Sequence, residues 1–158
     1  MAAAPSTSSV RPKEFHFPVT VEWLGERRVA AHVEGKRATE ITSPSVFHGS
    51  DPTTWSPEDF FVTAAASCLA VIFTGLASRA GLAYTSLSVD GDGVAGKRTD
   101  GALRLHAAVA PARSRDRTSR RVTRARRLAK QAEQTCLVSA SLDLPVETVI
   151  ENRRPSPP

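Results

Sequence analysis

The sequence predicts an α+β fold, and three observations carry that assignment. Two long stretches, residues 56–81 and 116–141, have the composition and punctuation of helices. Six shorter stretches read as strands, three of them lying together before the first helix and two between the helices. The resulting order, βββ, α, ββ, α, β, lacks the regular alternation of a repeated βαβ unit. A meander and a hairpin in that order give antiparallel sheets packed on the first helix.

Residues 1–13 are small, polar and Pro-containing, and are expected to form a disordered tail ahead of one domain spanning residues 14–151. From Phe15 the pattern changes. Phe15, Phe17, Val19, Val21 and Trp23 alternate with His16, Pro18, Thr20 and Glu22, which is the period of a half-buried strand. Pro18 lacks an N–H and assigns that strand to a sheet edge. Residues 28–34 and 38–42 supply the second and third strands, each preceded by a turn.

Residues 43–55 form a loop that leads directly into the first helix. Ser56 caps it, Pro57 suits the first helical position, and Glu58 and Asp59 set negative charge against the positive end of the dipole. Arg79 and Gly81 mark its end. Between them nearly every side chain is apolar or small, so the helix is either buried or membrane-spanning. Thr63, Ser67, Thr74 and Gly75 interrupt an apolar run that only just reaches spanning length, which favours a central core helix and no membrane. Cys68 lies at its midpoint, on a stripe with Phe61, Ala64, Ala65, Ile72 and Gly75.

A second hairpin follows, with strands over residues 83–89 and 102–110. Its turn contains Gly91, Gly93 and Gly96 in the GxGxxG spacing, but a dinucleotide site needs a helix to begin inside that motif, and here a strand follows. In the second helix Ala125, Ala129, Ala132 and Cys136 share one face, with Arg117, Arg120, Arg124 and Arg127 on the other. Residues 144–150 read as a closing strand and 152–158 as a tail.

A formal net charge of +5 over 158 residues is concentrated in one arginine run and the tails, so it is weak evidence for a partner. Two cysteines without a CxxC do not make a disulfide framework or a zinc site, and His16, His32, His48 and His106 lack ligand spacing. No metal or other cofactor is therefore expected. The N-terminus has no signal-peptide pattern, and a cytoplasmic, reducing compartment is the default.

Cys68 in a dry helix and Cys136 on the inner face of another helix suggest a peroxide-reducing pair. Burial raises a thiol pKa, so ionising Cys68 requires a neighbouring cation, best an arginine held by a carboxylate. Glu58 is the chosen carboxylate, yet ten helical residues place it about 15 Å from Cys68. The two cooperate only through an intervening arginine, a bend or a second subunit. An all-apolar helix beside one small sheet points to a homodimer.

Three stretches together resemble the OsmC/Ohr family of thiol peroxidases. They are Trp55 to Cys68 with its Pro57-Glu58 pair, Cys136 to Ser139, and Val21 to Gly25. The resemblance covers residues 15–150. It implies an intertwined α+β homodimer that reduces organic hydroperoxides or hydrogen peroxide and is regenerated by a dithiol, in many members a lipoylated protein. It further implies that Cys68 is the peroxidatic cysteine, Cys136 the resolving one and Glu58 the carboxylate orienting an arginine. Arg28 is the favoured arginine because it enters a strand, with Arg27 and Arg37 as alternatives. The family commonly has Cys-Pro at the resolving cysteine, whereas Leu137 follows Cys136 here.

Two other classes compete. A basic helix face over residues 113–130 could bind nucleic acid, but it has no aromatic platform and no second DNA-reading helix, and a solvated face explains it better. A member of the same fold that binds a small acyl ligand without turnover is the second alternative.

Overall fold

The computed structural model describes residues 14–47, 51–94, 102–111, 119–142 and 146–151. The chain divides into two compact units, residues 1–54 and 55–158. Both expected tails lie outside the described residues.

The first unit is a three-stranded antiparallel sheet of β1 (Thr20–Gly25), β2 (Arg28–His32) and β3 (Thr39–Thr42), in the order β1-β2-β3. Gly25 and Glu26 take positive φ at the first turn, where the Trp23 indole N–H donates to the Glu26 carbonyl at 3.0 Å. The expected first strand, residues 15–23, is ordered as a strand only from Thr20. Its partner β2 ends at His32, opposite Thr20, and Pro18 offers no N–H to continue the ladder. The alternating apolar residues expected to be half-buried remain exposed, Trp23 at 74% and Val21 at 58%. A three-residue 3₁₀ turn, Ser45–Phe47, follows the sheet.

The second unit is built on α1 (Pro57–Arg79). Ser56 accepts from the Asp59 N–H while the Asp59 carboxylate accepts from the Ser56 N–H at 2.8 Å, closing a reciprocal capping box. At the other end Gly81, at φ +61°, donates to the Ser78 carbonyl at 3.0 Å, and Leu82 donates to the Ala77 carbonyl at 2.9 Å. This is a Schellman closure, and the buried Leu82 seals it against the core.

β4 (Tyr84–Val94) and β5 (Ala102–Pro111) form an antiparallel hairpin. The polar turn expected after residue 89 is instead strand. Gly91 and Gly93 pair with Leu105 and Leu103, so the first two glycines of the GxGxxG spacing belong to the ladder, and Gly96 lies outside the described residues. α2 (Ser119–Thr135) then leads back to β6 (Val146–Glu151), which pairs with β5 in parallel. The expectation of wholly antiparallel sheets fails at this one edge. The connection through α2 is long enough to return the chain to the end where β5 began, which a tight hairpin cannot do.

The core of the second unit joins one stripe of α1, namely Ala65, Leu69, Phe73 and Ala77, to Leu82 and to Ala125, Leu128, Ala129 and Ala132 of α2. Tyr84 of β4 meets Phe73 edge-on with ring centroids 5.8 Å apart. By length and composition α1 could cross a membrane, but a core helix passes the same test and its inner stripe is buried within this unit. On its other face Val71 is 69% exposed and Phe61 40%.

Candidate active site

The buried stripe of α1 repeats every four residues, and at about 100° per residue Cys68 lies at its border. The side chain is accordingly half-buried, between the core and the exposed Phe61 and Val71. Alanines line both sides of the α1–α2 contact, Ala65 and Ala77 on one helix and Ala125, Ala129 and Ala132 on the other. Such small side chains let helix axes approach closely. Cys136, one turn beyond Ala132, is carried inward by this packing and is fully buried.

The helix expected to run through residues 116–141 breaks at Cys136, which has φ −70° and ψ 111° and caps the short α3 (Leu137–Ala140). Just before the break the Thr135 hydroxyl donates to the Gln131 carbonyl at 2.9 Å. The break aims three donors at one sulfur region. The Ser139 N–H lies 3.4 Å and the Ser139 hydroxyl 3.3 Å from Cys136 Sγ, and the Val138 N–H also acts on it.

Cys68 and Cys136, 68 residues apart in the chain, are both free thiols, brought close enough that each shifts the other's ionisation. Burial pushes the Cys68 thiol up, and donation to Cys136 pushes it further. Burial also opposes ionisation of Cys136, but hydrogen bonds from Cys68 and Ser139 outweigh it and bring its pKa below the ordinary thiol value. The pair thus keeps a proton on Cys68 and favours charge on Cys136. No cation is among the leading influences on either sulfur.

The other expected residues are placed as follows. Glu58 occupies the first turn of α1, exposed, ten residues of unbroken helix before Cys68, and has no ion pair among the described residues. Arg28 opens β2 in the first unit and pairs with Glu40 of β3. Arg27 donates to the Phe47 carbonyl, and Arg37 is exposed in the turn before β3.

Residues 48–151 match the family model described as OsmC-like protein. The chain belongs to the OsmC family. A Bacillus subtilis relative, the uncharacterized protein YmaD, is 25% identical over 142 residues, covering 87% of this chain and 93% of its own. An OsmC-like protein of unknown function from Vibrio cholerae superposes with a TM-score of 0.76 at 19% identity, covering 87% of this chain and all of the other. An organic hydroperoxide resistance protein from Elizabethkingia anophelis does so with a TM-score of 0.71 at 17% identity, covering 90% and 99%. These two likenesses establish an OsmC fold, with the α+β class read from the sequence.

Ser139 in the second unit of this OsmC family protein and Glu40 in the first were not singled out by sequence reasoning. Ser139 stands three positions after Cys136, the spacing between a cap and the N–H it captures, but cysteine is not among the usual caps and gave no signal. Glu40 becomes a partner of Arg28 only once the β2–β3 register is known, with Arg28 opposite Thr42.

Proposed function

We propose that this OsmC family protein is a thiol peroxidase that reduces organic hydroperoxides or hydrogen peroxide. In the first step the Cys68 thiolate attacks one peroxide oxygen, the O–O bond breaks, and the departing alkoxide takes a proton to become an alcohol. Cys68 is left as a sulfenic acid. Cys136 then attacks the Cys68 sulfur, the S–S bond forms, and hydroxide leaves as water. The two thiol protons end on the alcohol and the water, and the peroxide has accepted two electrons. A dithiol, for which a lipoylated protein is the natural candidate, returns both cysteines to thiols.

The observation that carries this reading is the pairing of a half-buried Cys68 with a buried Cys136, close enough that each shifts the other's ionisation. The first sulfur is open to a substrate, and the second is shielded yet adjacent. Because burial and the donation to Cys136 keep Cys68 protonated, turnover at neutral pH requires a cation, and Arg28 is assigned that part with Glu58 as a further orienting carboxylate. The protein is proposed to act as a homodimer in the reducing cytoplasm, the second copy covering the outer face of α1, where Phe61 and Val71 stand exposed.

Mixing the protein with cumene hydroperoxide and dithiothreitol and following peroxide loss tests the reading. Wild type consumes peroxide in proportion to enzyme, and Cys68→Ser falls to the uncatalysed background. Wild type at background, or Cys68→Ser as active as wild type, overturns it.

A further inference from the structure

We propose that Ser139 sets how readily the Cys68–Cys136 disulfide is reduced, by receiving Cys136 as the leaving thiolate through its backbone N–H and its hydroxyl. This rests on the peroxidase reading only in taking the disulfide as a real intermediate.

The geometry assigns the two sulfurs different tasks in reduction. A reductant thiolate can attack only a sulfur it can reach, and Cys136 is fully buried whereas Cys68 is not. Attack on Cys68 forms the mixed disulfide there, breaks the S–S bond, and places the electron pair on Cys136 Sγ. The leaving thiolate therefore appears at the sulfur that already faces the Ser139 N–H at 3.4 Å and the Ser139 hydroxyl at 3.3 Å. A thiol of lower pKa leaves faster, and donors fixed before reaction need no rearrangement when charge arrives. The second reductant thiol then attacks its own sulfur of the mixed disulfide and frees Cys68, which takes a proton. The lowered pKa of Cys136 agrees with this direction.

Ser139 is also placed by the break at Cys136 rather than by the dipole of a long helix, since α3 has only four residues. Its action is local, two directed hydrogen bonds on one atom. The backbone donor survives any side-chain change, so a substitution isolates the hydroxyl.

The full-length protein, oxidised beforehand with diamide, is equilibrated against mixtures of reduced and oxidised dithiothreitol at pH 8, and free thiols are counted. Ser139→Val and Ser139→Thr differ in the hydroxyl and match in shape. Ser139→Val is expected to shift the equilibrium about tenfold toward the disulfide, which is about 30 mV for a two-electron couple. Ser139→Thr is expected to stay within about twofold of wild type, the hydroxyl being kept. Reduction of Ser139→Val by dithiothreitol slows in parallel. The difference shrinks at pH 5, where reduced Cys136 takes up its proton, and a loss of packing alone would persist there. Equal equilibria for Thr and Val, or a shift that does not fade at pH 5, overturn the assignment to Ser139. Wild type that forms no Cys68–Cys136 disulfide with diamide overturns this inference through its premise and counts against the peroxidase reading as well.

Discussion

The two faces of α1 have similar composition and opposite fates. On the inner face Leu69 and Phe73 are each 2% exposed, packed against α2 and β4, while on the outer face Val71 is 69% exposed. Apolar sequence does not distinguish them; among the described residues, only the inner face has a partner within its own unit. Cys68 occupies the border, where the inner side supplies Cys136 and the outer side leaves the sulfur approachable. A nucleophile and its resolving partner need that combination, since a fully buried thiol is closed to substrate and a fully exposed one has no fixed neighbour.

The comparison breaks most readily through substitutions on the two faces. Leu69→Ala empties a filled core position and is expected to lower stability by about 3 kcal/mol in urea unfolding. Val71→Ala, on the open face, costs under about 0.5 kcal/mol in a monomer. In the proposed dimer Val71→Asp shifts the sedimentation profile toward monomer without comparable loss of monomer stability. If Val71→Ala costs as much as Leu69→Ala under monomeric conditions, the outer face is occupied within the chain and the contrast is mistaken.

Arg28→Gln sharpens the electrostatic side of the account. In the proposed mechanism the guanidinium holds Cys68 as the thiolate, so without it the thiol keeps its proton and peroxide turnover at pH 7 falls by about tenfold or more. Because the neutral thiol is the inactive form, activity returns as the pH is raised toward the higher pKa. Stability changes little, since the Arg28–Glu40 pair is 48% and 40% exposed and surface pairs contribute under about 1 kcal/mol. A pH-independent loss of activity would remove Arg28 from this part. The last substitution is at the helix end. Gly81→Ala places a side chain at φ +61° with nothing within 4 Å of it, so its cost is conformational, about 1–2 kcal/mol, without loss of the thiol pair.

Much of this was legible because local chemistry writes helix ends plainly. Ser56, Pro57, Asp59 and Gly81 fixed α1 to within a few residues, and the inward face of α2 followed from the spacing of Ala125, Ala129, Ala132 and Cys136. What was not legible depended on partners distant in sequence. Strand β1 starts late because β2 ends, β6 runs parallel because α2 carries the chain across, and Glu40 finds Arg28 through register. The break at Cys136 leaves no mark in the apolar spacing, which runs through that residue. The donors that Ser139 brings to Cys136 were not legible for a related reason, since they depend on the backbone turn at Cys136.

The most direct measurement is mass spectrometry of the reduced protein after one equivalent of cumene hydroperoxide, quenched with a thiol-blocking reagent and digested without reductant. The account predicts a single cross-linked species joining the peptide of Cys68 to that of Cys136 within one chain, and a Cys136→Ser variant that stops at a sulfenic acid on Cys68. Oxidation confined to Cys136, or a cross-link only between two copies of Cys68, would contradict it.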